Sequence, residues 1–213
     1  MDFAKLSSKV YSGYAKAAKR IGFDSEVYRT ASLTSPIDVA NKIHTAFKVS
    51  VAPDFSFERY NKHQKPDWIL MCDGNLVEIG DWIDGGSNGL FYVADKQPML
   101  PMVAMQCNRT VSIVRSGYSD VSGSMQPEDL PIASSLPVFM ISRKDKSTSV
   151  PGFPAASTTE IAKPEYYVWA NTRDISAFQK HDVVIDENAN RYEVNVVNST
   201  AFGAQLTCRM MNV

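Results

Sequence analysis

A chain of 213 residues with 44% hydrophobic and 21% charged side chains has the balance of a folded protein, and it is long enough for one ordinary domain or two small ones. Its 22 basic and 23 acidic residues nearly cancel, which excludes a chain that holds nucleic acid through its overall charge. No apolar run approaches the ~18 residues of a membrane span, and the opening Met-Asp-Phe-Ala-Lys lacks the apolar stretch of a secretory signal. Cys72, Cys107 and Cys208 are too scattered for a disulfide framework or a zinc site, and read as buried thiols of a reducing compartment.

The spacing predicts a helix over residues 3–21. Phe3, Leu6, Val10, Tyr14, Ala17 and Ile21 fall within about 80° of arc, and Lys5, Lys9, Lys16, Lys19 and Arg20 lie opposite. Asp2 is placed to cap the start and Gly22 to end the helix in a left-handed conformation. Residues 1–22 carry five bases and one acid, net +4, so the remaining 191 residues carry −5. The basic face is read as a solvated face, as a docking face for an acidic partner, or as a contact for nucleic-acid backbone or lipid headgroups. The lipid reading is the weakest, because the apolar arc has no Trp.

Period-two alternation predicts strands from Ile43 to Val51 and again at Phe55 and Phe57. Trp68–Met71 and Leu76–Ile79 are apolar runs around Cys72-Asp73-Gly74-Asn75, the pattern of a hairpin. Gly85–Gly89 is a second turn, followed by strands at Leu90–Ala94, Met102–Met105 and Thr110–Arg115. A second block of strands is expected at Pro137–Ser142, Tyr166–Ala170, Asp182–Ile185, Arg191–Val197 and Ala204–Met210, with Asp186–Asn190 as a polar turn. Ser116–Ser135 and Lys144–Pro164 read as long loops. The expected class is mainly β with an N-terminal amphipathic α-helix (α+β), in small sandwich or barrel units with long loops. The expected division is a helix over 1–22, a β-rich domain over 23–115 and a loop-rich β domain over 116–213, with no repeat of fixed period.

Motifs for chemistry are absent. His44, His63 and His181 stand in separate elements without ligand spacing. Gly85–Gly89 has no Lys and no helix after it, so it is a turn and not a phosphate cradle. Asp73, Glu78, Asp81 and Asp84 are the densest acids; a hydrolase would need two of them in one cleft, whereas turn acids explain them more simply. Trp68, Trp82 and Trp169 would have to cluster on the surface to make a sugar platform, and are otherwise core and interface anchors. No catalytic residue, cofactor or metal is expected.

Three stretches carry a likeness. They are Tyr11-Ser12-Gly13-Tyr14-Ala15-Lys16-Ala17-Ala18-Lys19-Arg20-Ile21-Gly22 with Val27-Tyr28-Arg29; Gly80-Asp81-Trp82-Ile83 with Phe91-Tyr92-Val93-Ala94 and Gln97-Pro98-Met99-Leu100-Pro101; and Gln106-Cys107-Asn108-Arg109-Thr110-Val111. On these the chain resembles small structural proteins from the neck of chiefly contractile-tailed bacteriophages, the head-to-tail connector, collar and gateway proteins. The likeness covers about residues 8–115. His181-Asp182-Val183-Val184 and Arg191-Tyr192-Glu193-Val194 are similar in pattern to a hairpin of such proteins, and 116–180 departs from them.

The resemblance implies a virion protein of the neck or head-tail junction, present in the host cytoplasm during assembly. It would form a homo-oligomeric ring that joins the portal connector to the tail and passes genomic DNA through its lumen. Its expected partners are itself and neighbouring neck, portal and tail proteins, with no membrane. The expected assembly surface is the helix, through Lys5, Lys9, Lys16, Lys19 and Arg20 with Tyr11 and Tyr14 as partial anchors. The link Gln97–Pro101 joins it, through Gln97, Pro98 and Pro101, because prolines leave a rigid unpaired edge. A tail or baseplate component and a carbohydrate-binding adhesin module are the alternatives.

Overall fold

The computed structural model describes residues 3–52, 66–121, 124–142, 164–172 and 174–211. One helix, α1 (Phe3–Ile21), precedes the strands β1 (Phe23–Tyr28), β2 (Lys42–Ala52), β3 (Asp67–Met71), β4 (Trp82–Asp84), β5 (Leu90–Asp95) and β6 (Met102–Cys107). The chain continues through β7 (Arg109–Val121), β8 (Ser124–Ser142), β9 (Glu165–Ala170), β10 (Val183–Asp186), β11 (Arg191–Thr200) and β12 (Gly203–Met210). These antiparallel strands close two barrels. The first runs β1-β2-β3-β6-β5-β4 and returns to β1; the second runs β7-β8-β9-β12-β11-β10 and returns to β7. The second path is the first repeated six strands later.

The repeat extends to the irregularities. The β1–β2 register slips between Ser25↔Phe47 and Val27↔His44, then again before Tyr28↔Lys42. The β7–β8 register slips between Val111↔Leu136 and Ile113↔Ala133, then again before Val114↔Pro131. Each first slip places a residue in the left-handed region, Ala46 at φ 53° and Ser135 at φ 50°. A third slip recurs between Val93↔Ala104 and Asp95↔Val103, and between Val194↔Cys208 and Val196↔Thr207. Bulges raise local twist and bend the strand, which lets so few strands close on themselves.

An arginine–aspartate clamp also occurs twice. Arg29, just after β1, holds Asp81, just before β4, through Nε to Oδ1 and Nη2 to Oδ2, both at 2.7 Å. Arg115 in β7 holds Asp182, just before β10, through the same atoms at 2.7 and 2.9 Å. In both, Oδ2 also accepts the N–H three residues earlier, Glu78 or Gln179, at 2.7 Å. The guanidinium also donates to the carbonyl five residues earlier, Leu76 or Ala177. The residue before each aspartate is left-handed, Gly80 at φ 94° and His181 at φ 73°. Its N–H reaches the carbonyl of Val93 or Val194. Asp81 and Asp182 are each 1% exposed, so each buried carboxylate is matched by a charge and by hydrogen bonds. The same bonds raise the arginine pKa values above their ordinary value.

The interior forms two clusters, and the second reaches across the seam into the first barrel. Val27, Val49, Leu70, Ile83, Phe91 and Met102 fill the first. Tyr28, Trp82, Tyr92 and Met105 belong instead to the cluster that fills the second, with Ile113, Leu136, Val168 and Leu206. Among the described residues, hydrogen bonds cross the seam from the Tyr92 hydroxyl to the Phe202 carbonyl, from Asn171 Nδ2 to the Gly80 carbonyl and from the Ser35 N–H to the Ser134 carbonyl, each at 2.8 Å.

Several expectations are corrected. Leu76–Ile79 is no strand: only Val77 turns inward, and Leu76 and Ile79 are exposed in the β3–β4 connection. Ser116–Ser135 is no loop, because β7 and β8 pair through Val121↔Ser124 as one long hairpin. The division expected after 115 falls inside β7, and the barrels part at Asn108. A repeat exists, but in topology and not at a fixed period. Gly22 is not left-handed; it is needed for close approach, since a Cβ there would stand 2.3 Å from the Val49 carbonyl oxygen. Asp2, Phe55, Phe57, His63 and the stretch Lys144–Pro164, apart from Pro164, lie outside the described residues.

Arg29→Ala and Arg115→Ala each strand a buried carboxylate and are expected to cost about 3 kcal/mol. Because the core runs across the seam, urea unfolding of either variant should remain one transition at a lower midpoint. A split transition would mean that the barrels unfold independently.

Candidate assembly surface

The two segments expected to form an assembly surface meet in the structure. The helix α1 packs across β2 and β3, with Tyr11 and Ala18 buried. The Tyr11 hydroxyl donates to the Gln97 carbonyl at 3.1 Å, and the Tyr14 hydroxyl donates to the Met99 carbonyl at 3.3 Å. The link Gln97–Pro101 is therefore the bracket that holds the helix. Beneath it, Lys96 Nζ donates to the Gly74 and Val77 carbonyls at 2.5 and 2.8 Å and lies 5.4 Å from the Tyr11 ring centroid. This is a cation seated on an aromatic face.

This seat revises the role of the tyrosines. Tyr11 is buried against its own barrel and Tyr14 is half-buried, so both anchor α1 within the chain rather than to a partner. Two carbonyls of the link are likewise used internally. Gln97 and Pro98 remain exposed and Pro101 is half-buried. Lys5, Lys9, Lys16, Lys19 and Arg20 are all exposed on the outer side of α1.

The apolar arc docks only in part: Val10, Tyr14 and Ala17 are half-buried. Phe3, Leu6 and Ile21 are 56%, 38% and 68% exposed. The most deeply seated face, through Tyr11, Ala15 and Ala18, is rotated by roughly 100° from the centre of that arc. Small side chains let α1 approach closely, and the tyrosine hydroxyls fix its height. An apolar ridge is left outward beside the basic row. Its signal in the sequence is the apolar arc itself.

The other candidates disperse. Asp73 accepts the Asn75 N–H and Asp84 accepts the Gly86 N–H, each in its own turn, whereas Asp81 and Glu78 meet on Arg29, Asp81 in the clamp and Glu78 at 3.1 Å, where the cation engages both. His181 Nδ1 pairs with Glu193 at 2.6 Å, and His44 stacks on Phe47. Trp82 is buried edge-on to Tyr92, and Trp68 is half-buried with Nε1 bonded to Gln106. Trp169 alone of the three faces outward in an aromatic row, 5.7 Å from both Phe139 and Tyr167. Among the described residues no group of His, Cys, Asp or Glu is arranged to hold a metal ion. No helix is long and apolar enough to cross a membrane. A cavity of about 430 Å³ at the seam is lined by Thr30, Trp82, Asn171 and Phe202. Its one acid, Asp174, already accepts from the Ser176 N–H and hydroxyl.

Asp186, like Asp174, is tuned without a cation. Burial raises its pKa, but bonds from the Asn190 side chain and N–H, the Asn188 N–H and the Tyr192 hydroxyl outweigh this and hold it below the ordinary value. Burial and the bond to Asp186 push Tyr192 up to about 12. Comparisons of the chain with protein families, curated proteins and solved structures give no match.

Two outcomes check this geometry. A Cβ on Gly74 would stand 2.6 Å from the Tyr11 ring, so Gly74→Ala should lift α1 and expose residues 3–21 to limited proteolysis while the barrels persist. A carboxylate held low in the native chain stabilises it fully above the unfolded value, near pH 4, and loses that contribution as pH falls through the native value. Asp186→Asn should therefore lower the urea midpoint at pH 7 and flatten its fall below about pH 4.

Proposed function

We propose that the chain is a structural protein of the bacteriophage neck, assembling into a ring between the portal connector and the tail through which DNA passes. The observation that carries this reading is the outward face of α1. A helix bracketed onto a rigid double barrel presents an apolar ridge beside five bases, the composition of a docking element rather than of a solvated face. The sequence likeness over residues 8–115 supports the same reading. So does the sign of the charge: a basic helix on a chain otherwise net −5 suits head-to-tail docking.

Mass-spectrometric localisation on purified virions, with heads and tails separated, tests it. The protein is expected at the head-tail junction. Recovery at the distal tail would favour a baseplate part, and absence from particles would overturn the proposal. Lys9→Glu with Lys16→Glu changes only exposed side chains, so it should leave a folded protein that fails to enter virions. Normal incorporation would remove α1 from the docking role.

A further inference from the structure

The two barrels differ most where they are otherwise equivalent. The register slips match Phe47 with Leu136, so Ser50 and Ala52 correspond to Phe139 and Ile141. Ser50 pairs with Met71 and Phe139 with Trp169; Ala52 pairs with Ile69 and Ile141 with Tyr167. On the first barrel this face is the seat of α1, and Ser50 beneath it is buried. On the second barrel the same face carries Phe139, Trp169 and Tyr167 in contact, half-buried and pointing outward. Among the described residues no helix packs on it.

We infer that this aromatic face of the second barrel receives the outward ridge of α1 from a second copy of the chain. The inference deepens the assembly reading by naming the partner of α1. Three observations select this occupant. The face is equivalent to one that already seats this helix. The helix has an unused apolar ridge, Phe3, Leu6 and Ile21, on an arc beside its own seat. The face itself carries large aromatics, Phe139, Trp169 and Tyr167, an apolar match for that ridge. Large aromatics are the residues that anchor such contacts. The helix of one copy would lie between its own first barrel and its neighbour's second barrel. That contact joins two different surfaces, so it can be repeated head-to-tail and closes a ring where the rotation between copies allows.

The test uses two variants of the full chain, Leu6→Cys and Thr207→Cys. Thr207 lies on β12 opposite Tyr167, on the same face. One population is mass-labelled, the two are mixed, and a short bismaleimide is added, with wild type as the control for the native cysteines. The reaction is run in solution up to about 1 mM and, where virions contain the protein, on virions. A cross-link joining one of each variant is expected, and Phe139→Asp should weaken association by about tenfold or more. Because Phe139 is half-buried, Phe3→Ser with Leu6→Ser, which alters exposed side chains, gives the same readout if Phe139→Asp misfolds. Cross-links only between like variants, or none in solution or on virions, would overturn the inference. So would glycan binding at the aromatic face by a chain that stays monomeric. A mixed cross-link with no protein in virions would overturn the neck reading alone, and virions containing the protein without the cross-link would overturn this inference alone.

Discussion

The fold hangs on a buried carboxylate. An aspartate at 1% exposure is tolerated only if its charge is answered at once, and a two-pronged guanidinium together with a backbone N–H answers it at the same place in each barrel. The clamp ties the exit of the first strand to the entry of the fourth, the two strands whose pairing closes the barrel. A six-stranded barrel is at risk of opening along that line, because β4 is only three residues long and supplies few ladder bonds. The clamp reinforces the closure where the ladder is shortest. In the second barrel β10 has four residues and the clamp is the same.

The segments on which the proposed neck reading rests fall on this framework. Val27-Tyr28-Arg29 and Gly80-Asp81-Trp82 hold the two halves of the first clamp and two seam residues, and His181-Asp182 holds half of the second. Tyr11 to Gly22 is the helix with its seat, and Gln97–Pro101 is its bracket.

Strands were legible in the sequence wherever one face is buried and the other wet, as in Ile43 to Val51 and Arg191 to Val197, because that environment selects alternation. Leu76–Ile79 misled for the converse reason. Three of its four residues are apolar, but only Val77 plugs the barrel, and the Asp73-Gly74 turn serves a loop that the clamp shapes. The helix was legible and its seat was not. Hydrophobic periodicity marks the greasiest arc, whereas this seat depends on small alanines and on hydroxyls reaching carbonyls, which the periodicity does not weigh. The duplication was hidden because equivalent residues are unevenly spaced: Arg29 and Arg115 are 86 apart, Asp81 and Asp182 are 101 apart, and Ala104 and Cys208 are 104 apart. Insertions in the connections remove any fixed period while leaving closure, bulges and clamps in register.

A duplicated scaffold poses a problem of specificity, since two like barrels invite like partners. Here the interior is shared and the exterior is not. Inward positions keep apolar side chains in both barrels, such as Val49 with Val138 and Leu70 with Val168, because closure at six strands confines the interior. Outward positions are free of that constraint and diverge to Ser50 and Ala52 on one barrel and Phe139 and Ile141 on the other. The first barrel already has its helix, fixed by Tyr11 and Tyr14. A surface that is both equivalent in backbone and opposite in bulk distinguishes an internal seat from an external one without any new element of fold. In such a chain the closed topology sets where contacts occur, and a few outward side chains set with what.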